Sequence, residues 1–260
     1  MSDQLRTTGS RRKRRGTGPN EPESAHDGAP RRIAPAAAAA PTAPATAPAK
    51  VLSIGRFERE DFERVEGLVI TLVTRNQQLQ AAAQQVARGF FAAATAEERQ
   101  KRELQAAFYS FLMYGYRDAN GVRVIDLFRR VGPKLGGRQL AAQEACEEAR
   151  FGLVAVEDVN PGKQRIRGRD ILRDEPVTLR DRNAAAAIRP GDRVLCWQIP
   201  WGTSWQPVGV ATHVEARKAE ALERAIEAMA NGLGAVRREL PERHAANLFW
   251  VVYRVAGMNS

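Results

Sequence analysis

Downstream of Phe57 the apolar residues fall at helical steps. Phe62, Val65, Val69, Leu72, Leu79, Ala83, Val86 and Phe90, with Asn76 on the same line, form one stripe and predict a single long helix. Thr95 and Glu98 stand at capping-box spacing, so a second helix is expected to start there and run to about Tyr114, burying Leu104, Phe108, Phe111 and Leu112. A short connection makes an antiparallel pair the expected arrangement. Asn120-Gly121 supplies a turn. A short helix follows, with Val124, Leu127, Phe128 and Val131 facing inward. The glycines and proline of 132–137 interrupt it before another helix over 139–150.

At Phe151 the period changes to two. Segments 151–159, 164–172, 176–180, 192–199 and 205–212 read as five short strands joined by Gly, Pro, Asp and Asn turns, Asn160-Pro161-Gly162 being the strongest. Five such strands predict a small β-barrel of SH3-like or OB-like kind, whose closure removes exposed sheet edges. Helical spacing returns from Val214 to about Ala230, Asn231-Gly232 is expected to break it, and Pro241 is placed to open a last helix carrying Leu248, Phe249, Val252 and Val255. The expected class is α+β. Residues 51–150 form a helical region, 151–213 the barrel and 214–260 C-terminal helices packing on the same body.

Composition changes this picture mainly at the start of the chain. Residues 1–50 hold nine Lys/Arg against four Asp/Glu, half of the chain's net charge of +10, and end in an Ala/Pro tract. Proline removes backbone donors and small side chains offer little surface to offset chain entropy, so a disordered basic arm is expected. Its cluster Arg11, Arg12, Lys13, Arg14 and Arg15 is suited to neutralising phosphates without reading sequence. A solubilising tail is the plainer reading of the same residues. No apolar run is long enough to span a bilayer and no secretory leader pattern is present, so a cytoplasmic protein is expected. Cys146 and Cys196 lack a CxxC partner and are expected to be buried, reduced thiols.

Candidate chemistry concentrates in the barrel. Arg165, Arg167 and Arg169 alternate along one strand and share a face, with Arg180, Arg182, Arg189 and Arg193 on neighbouring segments. Residues 161–213 carry nine Lys/Arg against five Asp/Glu and three tryptophans. Cations for phosphates beside ring faces for unpaired bases are what single-strand binders combine. Trp197 is assigned to the core, and Trp201, in the Pro200-Trp201-Gly202 turn, is the candidate for contact. Against this stands the reading that the tryptophans fill the barrel and the arginines pair with Asp170, Asp174, Glu175 and Asp181. Catalysis finds little support. Ser204 and His213 share a hairpin without a nucleophile elbow, 132–137 lacks the Gly-Lys-Ser/Thr ending of a phosphate loop, and Glu144, Glu147 and Glu148 read as a solvated face. No catalytic set, metal site or cofactor is expected. The expected function is non-enzymatic nucleic-acid contact through the arm and the arginine face. The alternative is an adaptor whose barrel and helices bind a protein partner.

Several short blocks also carry a resemblance. Phe108-Tyr-Ser-Phe-Leu-Met-Tyr-Gly-Tyr-Arg-Asp-Ala-Asn-Gly121, Ala149-Arg-Phe-Gly-Leu153, Val156-Glu-Asp-Val-Asn-Pro-Gly162, Arg169-Asp-Ile-Leu172 and Ile188-Arg-Pro-Gly-Asp192 resemble an uncharacterised bacterial family whose members often carry a C-terminal SEC-C zinc motif. The resemblance spans about Leu104 to Ala211 and implies a helical part followed by a small β-module. It brings no catalytic residues, and the zinc-binding cysteines of the motif are absent from this chain.

Overall fold

The structure, a computed structural model, describes residues 57–257. The expected disordered arm, with Arg11, Arg12, Lys13, Arg14 and Arg15, lies outside the described residues. Helix α1 spans Arg59–Arg75 and α2 Gln77–Phe90. The single helix expected from the stripe is therefore two. Asn76 takes an extended conformation (φ −100°, ψ 111°) and its side-chain oxygen accepts from the amides of Gln78 and Leu79, capping α2. A short polar side chain has this local hydrogen bond to offer, and it wins over continuing the helix.

Thr95 and Glu98 do form the reciprocal capping bonds, at 2.9 and 3.2 Å. They close only a 3₁₀ turn, Glu98–Gln100, and α3 (Arg102–Ser110) begins after Lys101 has left the helical region. A π-helical turn, Phe111–Gly115, ends it. Next come α4 (Val124–Val131) and α5 (Gly137–Glu147). The inward face of α4 is Val124, Ile125 and Phe128, whereas Val131, expected inside, is 59% exposed.

The strands are β1 (Arg150–Asn160), β2 (Arg165–Asp170), β3 (Glu175–Arg180), β4 (Arg193–Trp201) and β5 (Ser204–Val214). They form a closed barrel in the order β1-β2-β3-β5-β4. Its pairings are antiparallel except β3 with β5, which run parallel and meet through Leu179 and Trp205. A helix absent from the sequence reading, α6 (Arg182–Ala187), lies between β3 and β4 and is capped by Asp181, whose side chain accepts from the Ala184 amide at 2.6 Å. Between β1 and β2, Gly168 sits so close to β1 that a Cβ there would lie 2.0 Å from the Ala155 carbonyl oxygen. A glycine is what such a tight approach of two strands needs.

The last helices are α7 (Ala219–Leu233), α8 (Leu240–Arg243) and α9 (Ala245–Gly257). Asn231-Gly232 does not end α7. Gly234, at φ 61°, takes the left-handed capping position instead. Pro241 falls in the short α8, and the apolar α9 follows it.

Strand alternation divides the barrel residues between two cores. Val154, Val156, Ile166, Val177, Leu179, Val194 and Cys196 fill the interior, joined by Ala185 and Ile188. The outward residues of β1 and β4, namely Phe151, Leu153, Leu195, Trp197 and Ile199, belong to the cluster that runs through the helices. Strand β4 is thus buried on both faces. Trp197 is the joint between the two layers. Its ring stacks on Phe151 at 4.6 Å and lies 5.7 Å from the Tyr114 ring, and Gly115 leaves it room, since a Cβ there would fall 2.8 Å from the indole.

Helix α9 is tied back by Arg254, which forms an ion pair with Glu98 and donates to the Ala93 carbonyl at 2.8 Å. The Arg254 bond, with the Thr95 amide behind it, holds the Glu98 carboxyl from its ordinary 4.5 down to about 2. A depressed folded pKa means stability present above pH 4.5 and lost as pH falls through 2. Urea denaturation across that window is expected to show part of the acid loss of wild-type stability disappear in Glu98→Gln. An unchanged acid profile would count against this link.

Candidate nucleic-acid interface

The helices cover the outer faces of β1 and β4 and leave the outer face of β2 and β3 open. Along β2, Ile166, Gly168 and Asp170 are buried while Arg165, Arg167 and Arg169 point outward. On β3, Arg180 stands directly opposite Arg165, and Thr178 opposite Arg167. Two turns complete the surface. In the first, the Asn160 side chain accepts from the Lys163 amide at 2.9 Å and Gln164 takes a left-handed conformation, which sets Lys163 beside Arg165. In the second, Gly202 (φ 63°) and Thr203 make the two-residue link between Trp201 and Ser204, with glycine at the position where such hairpins favour positive φ.

Together these parts enclose an open groove of about 520 Å³ lined by Gly162, Lys163, Gln164, Arg165, Arg167, Thr178, Arg180, Thr203 and Ser204. Among the described residues no carboxylate lines it. Four acids of the barrel are engaged elsewhere. Asp170 is fully buried and accepts from Arg173 at 2.8 Å, Asp174 pairs with Arg169 at 2.8 Å, Glu175 pairs with Arg150, and Asp181 caps α6. Asp158 is the register partner of Arg167 on β1, yet no ion pair within 4.0 Å joins them. Among the described residues, Lys163, Arg165, Arg167 and Arg180 therefore have no anionic partner. Arg165 and Arg180 face each other as like charges, an arrangement that costs stability in a sheet. The Nε of Arg165 is moreover buried without a hydrogen-bond acceptor.

The structure thus brings Arg165 and Arg167 into the groove and leaves Arg169 outside it, held by the side chain and carbonyl of Asp174. Trp201 is half-buried on the helical side, its ring edge-on to Phe57 at 4.7 Å. It does not line the groove. The groove also takes in Lys163, Thr178 and Thr203, which the strand pattern does not single out, and Arg180 from the neighbouring strand. The signal for Lys163 was its place between a Pro-Gly turn and Arg165.

The other candidate groups are occupied structurally. Ser204 donates to the Trp201 carbonyl at 2.9 Å, and His213 Nε2 lies 2.7 Å from Asp192. Burial works to raise the Asp192 carboxyl, but bonds from the Arg189 amide, His213 and the Ala216 amide hold it below the usual range. Glu147 takes Arg129 at 2.6 Å and Gln143 at 3.0 Å. Residues 132–137 connect α4 to α5. Among the described residues no three His, Cys, Asp or Glu side chains are grouped to hold a metal. Both cysteines are buried and free. Burial pushes the Cys196 thiol up to about 12 and raises that of Cys146 as well, so neither is an activated nucleophile.

Comparison of the chain with family models, curated proteins and solved structures returns no match. The groove's chemistry has to be read from its own residues.

Proposed function

We propose that the barrel is of the OB type and that its groove binds single-stranded nucleic acid without catalysis. The strand order, the parallel β3–β5 pairing and a helix between β3 and β4 support the OB assignment. In barrels of that type the face of strands 2 and 3, with the first and last hairpin loops, receives oligonucleotides. The carrying observation is that four cations with no anionic partner among the described residues are gathered on that face here. A cleft lined by one sign of charge concentrates counter-ions of the other. The basic cluster at Arg11 to Arg15 adds salt-sensitive affinity of the same kind.

The test is a titration of the full chain with single-stranded RNA and DNA at several salt concentrations. The expected result is a linear fall of log affinity with log salt. No binding at low salt would remove the reading, and a variant with alanine at positions 11–15 separates the arm's share from the groove's. The adaptor alternative draws on Ile70 and Tyr109, 40% and 48% exposed beside a shallow apolar depression that includes Val73 and Met113. It leaves the unpaired arginines unexplained.

A further inference from the structure

The lining of the groove restricts what part of a nucleic acid it takes. Lys163, Arg165, Arg167 and Arg180 supply cations, Thr178 and Thr203 supply hydroxyls, and no aromatic ring lines it. None of the four tryptophans of the chain lines the groove. Trp197 and Trp250 are buried at 5% and 7% exposure. Trp201 meets the Phe57 ring, and the Arg150 guanidinium covers Trp205 at 3.7 Å from the ring centroid. Binders that hold bases do so by stacking them on exposed rings. That element is missing from this face, while the element that holds phosphates is present in excess.

Resting on the reading above, we propose that the groove recognises the sugar–phosphate backbone alone, with the bases left in solvent, so that occupancy does not depend on base identity or presence. The facing pair Arg165 and Arg180 is the central contact. A phosphate between them relieves their mutual repulsion and can accept forked bonds from the terminal guanidinium nitrogens. Thr178 and Thr203 add hydroxyl donors to the same oxygens, which suits a chain of phosphodiesters.

Fluorescence anisotropy of the full-length protein with oligothymidylate, and with an abasic oligonucleotide of the same length and phosphate number, tests this. The two dissociation constants are expected to agree within about threefold at each salt concentration, because a stacked base adds about fivefold or more in affinity. A loss of about fivefold or more on removing the bases overturns the backbone reading while single-strand binding itself stands. Binding of neither probe removes single-strand binding at this site altogether. Arg180→Gln, at an exposed position whose side chain makes no hydrogen bond or ion pair among the described residues, is expected to weaken both probes by the same factor. Weakening of oligothymidylate alone would overturn the inference. Intrinsic tryptophan fluorescence gives a second readout. It is expected to stay unquenched on binding, and strong quenching by oligothymidylate but not by the abasic probe would place a base on an indole and overturn the proposal.

Discussion

Replacing Arg165, Arg167 and Arg180 together by alanine is expected to weaken single-strand binding about a hundredfold near 0.1 M salt and to flatten the salt dependence by about two units of slope. Each phosphate neutralised on a single strand contributes roughly 0.7 to that slope through counter-ion release, so three contacts give about 2. At 0.1 M that slope corresponds to about two decades of affinity. The substitution is local to the groove, since none of the three side chains makes an ion pair among the described residues. Removing the facing pair Arg165 and Arg180 also relieves a like-charge contact, so thermal stability is expected to hold or rise slightly. Filter binding or anisotropy over a salt series checks the first expectation, and a melting curve the second. A variant that keeps the wild-type slope would show that the charge counted by the ligand lies elsewhere in the chain.

Trp197→Ala is expected to cost about 3–5 kcal/mol, the range for deleting a large buried aromatic. At about 2–4 °C per kcal/mol for a body of this size, the melting temperature should fall by roughly 6–20 °C. The residue bridges two layers, so more than packing area is lost. Its ring is what β4 presents to Phe151, Tyr114 and the Gly115 backbone, and the cluster it belongs to runs from the outer barrel wall into the helices. Wild-type protein is therefore expected to melt in one cooperative transition by near- and far-ultraviolet circular dichroism. Trp197→Phe, which keeps a stacking ring, should recover most of the loss. A cost below about 1 kcal/mol for the alanine variant would mean the two layers are not coupled through this side chain.

The strands were the most legible part of the sequence, because Gly, Pro, Asp and Asn turns bound each segment even where both faces are buried. In β4, Val194 and Cys196 alternate with Leu195 and Trp197, and every one is apolar, yet the flanking turns bound the segment. Three local decisions were less legible. Asn76 sits on the apolar stripe but caps α2, Gly234 rather than Gly232 meets the backbone need of the α7 end, and the six-residue α6 carries only the capping signal of Asp181 before an alanine run. The groove was half legible. Alternation put Arg165 and Arg167 on one face, but which acids neutralise which arginines is a matter of tertiary distance. Asp174 lies five residues from Arg169 and captures it, whereas nothing in the spacing says that Asp158, beside Arg167, forms no pair with it. The placement of Trp201 depended on whether the open side of its turn faced solvent or the helices, which only the packing of β4 decides.

Both thiols of the chain are enclosed, and their environments suppress the thiolate form. For chemical labelling this means a silent background. A cysteine introduced at Thr203, on the rim of the groove, would be the single exposed thiol among the described residues, so a spectroscopic label or a cross-linker attached there reports on the groove and nothing else. Reaction with maleimide under native conditions would proceed at that position alone, while the two natural cysteines would become reactive only as the fold opens. The same protein thus carries a reporter of global unfolding that leaves the groove surface untouched.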